Sequence, residues 1–250
     1  YKTTNMGLVG RLNYDYASKY LLEASFRYDG SSKFAKGHRW GFFPSVSAGY
    51  RISEENFIKD TDALSFLTNW KIRASYGVLG DDGSSSYQFL SGYDYPGAGY
   101  VFGTEAYKGL GFRGLPNPSI TWYTSKTLNV GTDLDLFNGL FSFQIDFFWR
   151  YRDGLLGKRN QEVPGTIGAE MPEENLNQDL YKGFEVVLGH RNQIRDFRYS
   201  VSLNFALTRK MNRKLVEGDA VNSYDRWRGK YSNRYSDMGW GYGSNGQYTS

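Results

Sequence analysis

The sequence predicts an all-β protein, an antiparallel up-and-down meander of about eight strands that crosses a membrane as a β-barrel with long extracellular loops. Apolar and polar residues alternate with a period of two along about eight segments, and this period places successive side chains on opposite faces of a strand. Short and long connections alternate between the segments, as they do in transmembrane barrels.

The first four predicted strands fill the first third of the chain. A short turn at Ala17 separates the first two strands, a long connection begins at Gly30, and the segment from Ser53 to Thr68 contains a helical turn. The apolar faces, read at every second residue, cover Leu8 to Tyr16, Tyr20 to Tyr28, Phe42 to Ile52 and Trp70 to Val78. The opposite faces are polar, so one side of the predicted sheet is apolar throughout.

Four more predicted strands follow, with connections of unequal length between them. A long connection rich in Gly, Ser and Tyr covers Gly80 to Ser119, and Asn138-Gly139 forms a tight hairpin turn. A second long connection covers Asp153 to Leu180, and a short turn lies around Asn192. The apolar faces cover Leu128 to Leu136, Phe141 to Tyr151, Phe184 to Leu188 and Phe197 to Leu207. The alternation ends after Arg209.

The composition agrees with strands and excludes several classes of protein. Aromatic residues make up 18% of the 250 residues, with 30 Gly and only 6 Pro, which favours strands and turns. No run of 18 apolar residues exists, so a membrane role requires a barrel. The 30 basic residues are dispersed among 26 acidic ones, which argues against nucleic acid as a partner.

The same composition predicts that the chain is not an enzyme and holds no metal or cofactor. Cysteine is absent, which excludes disulfide scaffolds and thiolate metal sites. The two histidines, His38 and His190, lie in separate connections without a partner for a metal site or a nucleophilic triad.

The alternation alone leaves one structural alternative open, a soluble β-sandwich or propeller whose apolar face packs on a second sheet. The irregular loop spacing and the absence of a fixed-period repeat argue against it. The abundance of Tyr and Phe on the apolar faces also suits a lipid boundary better than a close-packed core. We therefore expect the apolar face to contact lipid.

Several stretches between about Gly7 and Asn204 resemble one family in sequence and in order. They are GRLNYDYASKYLLEASFRYDGSSKFAKGHRWGFFPSVSAGYRISEENF, KIRASYGVLGDD with YQFL, LPNPSITWYTSKTLNVGTDLDLF, and VPGTIG with PEEN and KGFEVVL. These motifs resemble the SusC/RagA-type TonB-dependent transporters of the outer membrane of Bacteroidota-like Gram-negative bacteria. The resemblance implies a plugged barrel of about 22 strands.

Residues 1–250 would then be a partial TonB-dependent receptor β-barrel domain, a section of a large transmembrane β-barrel. The family's plug, its TonB box, its signal peptide and the strands that close the barrel have no counterpart in these residues. We expect the chain to start and stop inside a longer protein.

The resemblance implies a function and a set of partners. The whole protein would be an energised importer of large nutrients, oligosaccharides or peptides, that acts with a SusD-like surface lipoprotein and contacts TonB through a missing N-terminal region. Outer-membrane lipid would surround it. Two alternatives remain at this point: a passive or adhesive barrel of about eight strands filled by side chains, and a soluble glycan-binding β protein.

The polar faces and the longest connection supply the candidate site residues. The residues predicted to face the lumen are Arg11, Glu23, Arg27, Arg51, Arg73, Asp133, Asp146 and Arg150. The aromatic residues predicted to bind substrate lie in the connection after Gly80, and they are Tyr87, Phe89, Tyr93, Tyr95, Tyr100, Phe102 and Tyr107. Packing within the loop is the alternative role for these aromatics. The paired carboxylates Asp81-Asp82 and Glu173-Glu174 are expected to be solvated rather than metal-binding.

Overall fold

The computed structural model describes residues 2–97, 99–159, 166, 168–218 and 222–239. Nine strands form one antiparallel sheet in the order β1-β2-β3-β4-β9-β10-β11-β12-β13. Their bounds are β1 Asn5–Tyr16, β2 Tyr20–Ser31, β3 Trp40–Arg51, β4 Leu67–Asp81, β9 Tyr123–Leu136, β10 Phe141–Lys158, β11 Glu173–Ile194, β12 Phe197–Lys214 and β13 Arg234–Tyr235. The predicted fold class, an all-β antiparallel meander, is confirmed.

The connection between β4 and β9 contains two small ribbons. They pair β5 (Tyr93–Asp94) with β8 (Gly111–Phe112) and β6 (Gly99–Phe102) with β7 (Glu105–Lys108). The helical turn expected after Ser53 is present as 3-10 turns at Ile52–Glu54 and Asp62–Leu64 around α1 (Asn56–Lys59). A second helix, α2, covers Ser223–Gly229. No helix in the described ranges is both long and apolar enough to cross a membrane.

The strand register places the apolar positions of all eight long strands on one side of the sheet. Leu12 pairs with Ala24, Ala24 with Val46, and Val46 with Tyr76. The same row of cross-strand pairs continues from Tyr76 through Leu128, Trp149 and Lys182 to Arg209. We call this side the apolar face and the opposite side the polar face.

Little of the apolar face is covered. Leu12, Val46, Phe147 and Leu203 are all exposed, and the most exposed of them, Leu12, has 70% of its surface accessible. No second sheet lies over the span from Phe141 to Tyr151 among the described residues. The soluble sandwich alternative is therefore wrong, because its apolar face would be buried against another layer.

The sheet does not close on itself. β1 pairs only with β2, and β12 pairs with β11 and with the two residues of β13, so β1 and β12 are not joined within the described chain. The alternative of a closed ring of about eight strands is therefore wrong for this chain. The sheet has the topology of a section of barrel wall.

The connections alternate between the two ends of the sheet, as predicted. The turn end carries the connections 17–19, 52–66, 137–140 and 195–196, and the loop end carries 32–39, 82–122 and 159–172. The Asn-Gly turn is confirmed, because Asn138 and Gly139 adopt φ values of 56° and 82° between β9 and β10. Such positive values are the reason that Asn and Gly occupy this turn.

Four predicted strand ends are wrong because the ladder continues past the alternating pattern. β10 and β11 reach Lys158 and Glu173, so most of the connection predicted from Asp153 to Leu180 is strand. β11 continues through Asn192 to Ile194, and the turn follows at Arg195, whose φ is 56°. β12 continues past Arg209 to Lys214. The period of two disappears there because a ladder beyond the membrane has no lipid-facing side.

The buried apolar residues lie at the two ends of the sheet rather than beneath it. Phe34, Phe43 and Ile120 are buried at the loop end, and Ile52 and Ile58 are buried at the turn end. Phe43 occupies a polar-face position in β3 and contacts the Trp122 ring with a centroid distance of 5.4 Å. The core therefore fastens connections to the ends of the wall.

A carboxylate in the turn-end connection gives a prediction for acid pH. Lys19 Nζ lies 3.1 Å from Glu55 Oε2, and Tyr50 donates a hydrogen bond of 3.0 Å to Glu55 Oε1. The hydrogen bond from Lys19, followed by that from Tyr50, lowers the pKa of Glu55 from 4.5 against the opposing effect of desolvation. Because the folded pKa is depressed, this stabilisation is present above pH 4.5 and is lost as pH falls through the folded pKa.

We expect the protection of residues 52–64 against hydrogen exchange, relative to the intrinsic amide rates at each pH, to fall below about pH 4.5 in the full-length receptor because the Lys19–Glu55 tie is lost as Glu55 protonates. Glu55→Gln should remove that pH dependence and exchange faster at neutral pH. Equal pH profiles for the two proteins would contradict the prediction.

Candidate functional site: the polar face and the loop end

All eight residues predicted to face the lumen share the polar face. The register joins them through direct pairs, for example Arg73 to Gly131 and Gly131 to Asp146. Arg11 and Arg150 lie in one row of cross-strand pairs, which passes through Ser25, Ser45, Gly77 and Thr127. A shared face is a property of the sheet; their position in a lumen stays a prediction.

Three of the eight form an ion-pair network across β4, β9 and β10. Arg73 Nη2 lies 2.6 Å from Asp146 Oδ2, and Arg73 Nε lies 3.2 Å from both carboxylate oxygens of Asp133. Asp146 is buried. One guanidinium therefore links two carboxylates on neighbouring strands, which cross-links the wall by charge-assisted hydrogen bonds.

Gly131 makes room for this network. A Cβ at position 131 would meet Asp146 Oδ1 and would lie 2.9 Å from the Ile145 carbonyl oxygen and 3.1 Å from Arg73 Cζ. The residue between the two charged strands therefore has to lack a side chain.

We expect Gly131→Ala to destabilise the full-length barrel by about 1–3 kcal/mol, because the methyl group overpacks the ion-pair network. Gly77→Ala is the matched control on the same face, since its Cβ would approach no atom closer than 3.4 Å. Equal unfolding midpoints in denaturant for the two variants would show that the network does not constrain position 131.

The other five predicted polar-face residues are less tightly held. Arg11 lies 3.6 Å from Glu23, and Arg27 lies 3.0 Å from Asp29, in pairs whose arginine side chains are exposed. Such exposed pairs contribute little to stability. Arg51 and Arg150 make no ion pair within the part of the chain that is described. Their charges remain available on the polar face.

Sequence reasoning missed a second charged network closer to the loop end. Arg152 binds Asp179 through two hydrogen bonds of 2.8 Å and 2.5 Å, and Lys210 Nζ lies 3.4 Å from the same carboxylate. Asp179 is 2% exposed. The alternation places Asp179 in a connection, so only the observed register, which pairs it with Arg152, reveals this network.

Several depressions lie along the polar face among the described residues. One of about 540 Å³ is lined by Glu23, Lys71 and Arg73, and one of about 500 Å³ by Tyr123, Arg150 and Arg152. Both are open and mix charged with hydroxyl or amide side chains. They provide surface for hydrogen bonding to a polar molecule or to another part of the same protein.

The predicted loop aromatics do not form one cluster. Tyr87 packs against Phe89 with ring centroids 6.1 Å apart, Tyr93 packs against Phe112 at 6.0 Å, and Phe102 packs against Tyr107 at 5.6 Å. Tyr100 faces Tyr107 across the β6–β7 ribbon. Tyr87 also donates to the Lys2 carbonyl.

Most of these aromatics still present a free surface. The exposed fractions are 64% for Tyr93, 71% for Tyr95, 52% for Tyr100 and 49% for Tyr107. Self-packing therefore covers Tyr87 and Phe89 more than the rest. The stretch from the start of β5 to the end of β8 is the part of the loop with aromatic rings open to a ligand.

The two carboxylate pairs are held by protein groups rather than simply solvated. Asp82 accepts a hydrogen bond of 2.7 Å from Ser31 Oγ and lies 3.4 Å from Lys33 Nζ. Desolvation raises the pKa of Asp82, but the hydrogen bond from Ser31 and the charge of Lys33 outweigh it and lower the pKa overall. Glu173 accepts from Gln88 at 2.6 Å, and Glu174 lies 3.3 Å from Arg159. The expectation of solvated carboxylates is therefore wrong in these contacts.

The sequence also did not predict the buried aromatic contacts at the loop end. Phe43 interrupts the polar side of β3, and its ring occupies the space over Gly41 and Gly80, where any Cβ would overlap it. Trp122 Nε1 donates to the Arg39 carbonyl oxygen at 2.9 Å, and Thr121 Oγ1 donates to the His38 carbonyl oxygen at 3.0 Å. These contacts join the connections 32–39 and 82–122.

Comparison with known proteins decides the family. The sequence model described as "TonB dependent receptor-like, beta-barrel" matches residues 1–250. The chain belongs to this receptor β-barrel family. It is a barrel-wall segment of an outer-membrane TonB-dependent receptor, in agreement with its uncovered apolar face.

Relatives of the receptor are known from two Bacteroidota species. The segment is 33% identical to TonB-dependent receptor P3 of Formosa agariphila over 87% of its own length and 21% of that protein. It is 32% identical to TonB-dependent receptor SusC of Bacteroides thetaiotaomicron over 89% of its own length and 22% of SusC. The chain thus spans about a fifth of the length of these relatives, and the predicted resemblance is confirmed.

A solved structure shares the fold of the receptor segment. The structure described as the RagAB peptide transporter superposes with a TM-score of 0.73 and 23% identity, covering 87% of this chain and 23% of the other. At this identity the likeness concerns the fold, and it supports a barrel wall.

Proposed function

We propose that the receptor containing this chain imports large nutrients, oligosaccharides or peptides, across the outer membrane with energy supplied through TonB. The observation that carries the proposal is a polar face, continuous over eight strands, on the opposite side from the lipid-facing surface. In a large barrel this arrangement lines a lumen with charged and hydrogen-bonding groups. The family membership and the relative SusC support the same function.

The polar face supplies the inner wall in this proposal. Arg51 and Arg150 offer cations without an ion-pair partner in the described ranges, while Arg73 and Arg152 are held by carboxylates. Fixed pairs keep the wall rigid, and unpaired cations contact the plug or the passing substrate. The plug, the TonB box and the remaining strands would lie in parts of the protein beyond these residues.

The loop end supplies the contact surface for substrate and for a partner. Exposed aromatic rings stack on sugar rings and on apolar peptide side chains. Tyr93, Tyr95, Tyr100 and Tyr107 present such rings. A SusD-like surface lipoprotein would cover this end and share the substrate with it. RagAB, which shares the fold, is a peptide transporter, and this makes peptides one of the two substrate classes to test.

Reconstitution of the full-length receptor in liposomes tests the proposal. We expect a barrel that is closed to small ions on its own and that takes up substrate only when TonB is present and energised. A receptor without an inner plug, through which ions pass freely in the absence of TonB, would contradict the importer function.

Binding measurements test the role of the loop aromatics separately. We expect Tyr93→Ala combined with Tyr95→Ala to weaken oligosaccharide or peptide binding by about tenfold, because each ring contributes about 0.5–1.5 kcal/mol by stacking. Phe57→Ala, which removes a ring that is 60% exposed at the turn end, is the matched control. Loss of binding in the control alone would refute the assignment.

A further inference from the structure

Large apolar side chains are uncommon on the polar face, and most of those in the described strands are covered. Phe43, Phe148 and Val187 occupy polar-face positions of β3, β10 and β11, and they are buried or half-buried. Two large apolar side chains of this face are exposed at the paired positions that the structure describes. Val9 of β1 has 71% of its surface accessible, and Leu79 of β4 has 64%. An aliphatic surface that faces away from lipid is therefore open on this side of the sheet.

Val9 and Leu79 line the same depression, which lies at the loop end and has a volume of about 540 Å³. Val9 pairs with Arg27, and Arg27 pairs with Phe43, so one row of its floor comes from three adjacent strands. Val9 and Leu79 lie on strands three positions apart in the sheet, which separates their backbones by about 14 Å. The depression is therefore a trough with an aliphatic side chain on each side, and it has room for about four residues of extended chain.

The depression offers little free aromatic surface. Phe43 is 5% exposed, and the half-buried Trp122 ring contacts Phe34 and Phe43 at centroid distances of 5.6 Å and 5.4 Å. Sugar rings stack on exposed aromatic faces. Sugar hydroxyls placed over Val9 and Leu79 would lose water without gaining hydrogen bonds. The surface of the depression therefore suits aliphatic side chains better than sugar rings.

The charged residues that line the depression leave one carboxylate without a cation. Asp29 accepts hydrogen bonds of 3.0 Å and 3.3 Å from Nε and Nη2 of Arg27, and Asp82 lies 3.4 Å from Lys33 Nζ. Asp81 also lines the depression and is exposed, and no cation lies within ion-pair distance of it in the described part of the chain. The depression therefore carries a net negative charge that complements a cationic group.

We propose that this depression binds peptide substrates of the receptor, with aliphatic side chains on Val9 and Leu79 and an amino or guanidino group at Asp81. The proposal rests on the import function proposed above and selects peptides from its two substrate classes. Leu79 and Asp81 lie two residues apart on the same face of β4, about 7 Å along the strand. A peptide with neighbouring aliphatic and basic side chains therefore reaches both. A neutral oligosaccharide carries neither kind of group.

A segment of the receptor outside these residues is the competing occupant, and cysteine labelling separates it from a peptide. The 250 residues contain no cysteine, so Leu79→Cys adds one reactive thiol to this part of the full-length receptor. We expect a polar maleimide to label it in the substrate-free receptor. Bound peptide at about ten times its dissociation constant should slow the labelling about tenfold. A thiol that is labelled only after denaturation would overturn the proposal in favour of a permanent covering segment.

Isothermal titration of the full-length receptor in detergent tests the ligand class. The probe is acetyl-Leu-Ala-Ala-Ala-Leu-Lys-amide, whose two leucines match the separation of Val9 and Leu79. Its analogues carry Ser at both Leu positions or Gln in place of Lys, and a neutral glucose hexasaccharide is the carbohydrate probe. We expect Val9→Ser with Leu79→Ser to weaken binding of the leucine peptide about tenfold, because aliphatic contact area is lost, and to leave the serine peptide unaffected. Val9→Ile with Leu79→Met should retain binding within about threefold.

Asp81→Asn tests the charge contact separately. Asparagine keeps a side-chain oxygen for the hydrogen bond of 2.7 Å that Asp81 accepts from the Gly83 backbone N–H. We expect the variant to bind the lysine peptide about fivefold more weakly and the glutamine peptide as well as the parent receptor does. Asp62→Asn removes an exposed carboxylate at the turn end and is the matched control, which should change neither affinity.

Three results of the titrations would overturn the proposal. They are equal binding of the leucine and serine peptides, full competition by the hexasaccharide, and equal weakening of the lysine and glutamine peptides by Asp81→Asn. The import function fails by a different result. Uptake of oligosaccharides that requires TonB, without peptide binding, refutes the peptide assignment and leaves the importer function standing. Peptide binding without any TonB-dependent uptake refutes the importer function alone.

Discussion

Phe143→Arg and Ile145→Arg are each expected to destabilise the assembled full-length barrel by about 2–4 kcal/mol, because a cation near the bilayer midplane is poorly solvated. Both residues lie on the apolar face of β10, in rows with Leu134 and Thr132. Folding titrations in lipid vesicles measure the free energy of unfolding for each variant.

Gln144→Arg is the matched control because the same side chain then appears one residue away on the polar face. Gln144 pairs with Asp133, and its amide lies 3.4 Å from Asp146 Oδ2, so a cation at position 144 has two carboxylates nearby. We expect a cost well below that of the neighbouring variants. Equal tolerance of Arg at 143 and 144 would show that the assignment of the two faces is wrong.

The isolated 250-residue chain is expected to aggregate or to remain unfolded in detergent micelles. β1 and β12 each present a ladder edge that the rest of the protein would pair, apart from the two residues of β13. An unpaired backbone group in hydrocarbon costs several kcal/mol, so two long edges exceed the stability of an ordinary domain. Circular dichroism with size-exclusion chromatography measures this outcome.

The full-length receptor in the same detergent is the control for that experiment. It should give a β spectrum and a single sharp peak, since its ring has no free edge. A monodisperse, β-rich isolated chain would contradict the prediction and would show that the edges are satisfied by other means.

The sequence predicts the wall where lipid and water impose a period of two. The span from Phe141 to Tyr151 is predicted correctly because the residues assigned to the apolar face lie on it, whereas the intervening residues, Phe148 among them, lie on the polar face. The continuation from Tyr151 to Lys158 is not predicted, because that ladder lies beyond the lipid and carries no alternation. Strand ends therefore depend on hydrogen bonding that composition does not reveal.

The sequence predicts only part of the candidate site, for a similar reason. The alternation assigns Arg73, Asp133 and Asp146 to one face, but it gives no register between β4 and β10. The link of one guanidinium to both carboxylates becomes visible only when Gly131 is placed between them. Phe43 is harder still, because an aromatic residue on a polar face makes sense only when Gly41 and Gly80 are its neighbours.

The contacts of Trp122 have a mechanical consequence. Its indole is bonded to the connection 32–39 and packed on Phe43 of β3, although it belongs to the connection 82–122. A displacement of the connection 82–122 is therefore transmitted both to β3 and to the connection 32–39. The two connections therefore move together, because Trp122 joins both of them to the Phe43 ring.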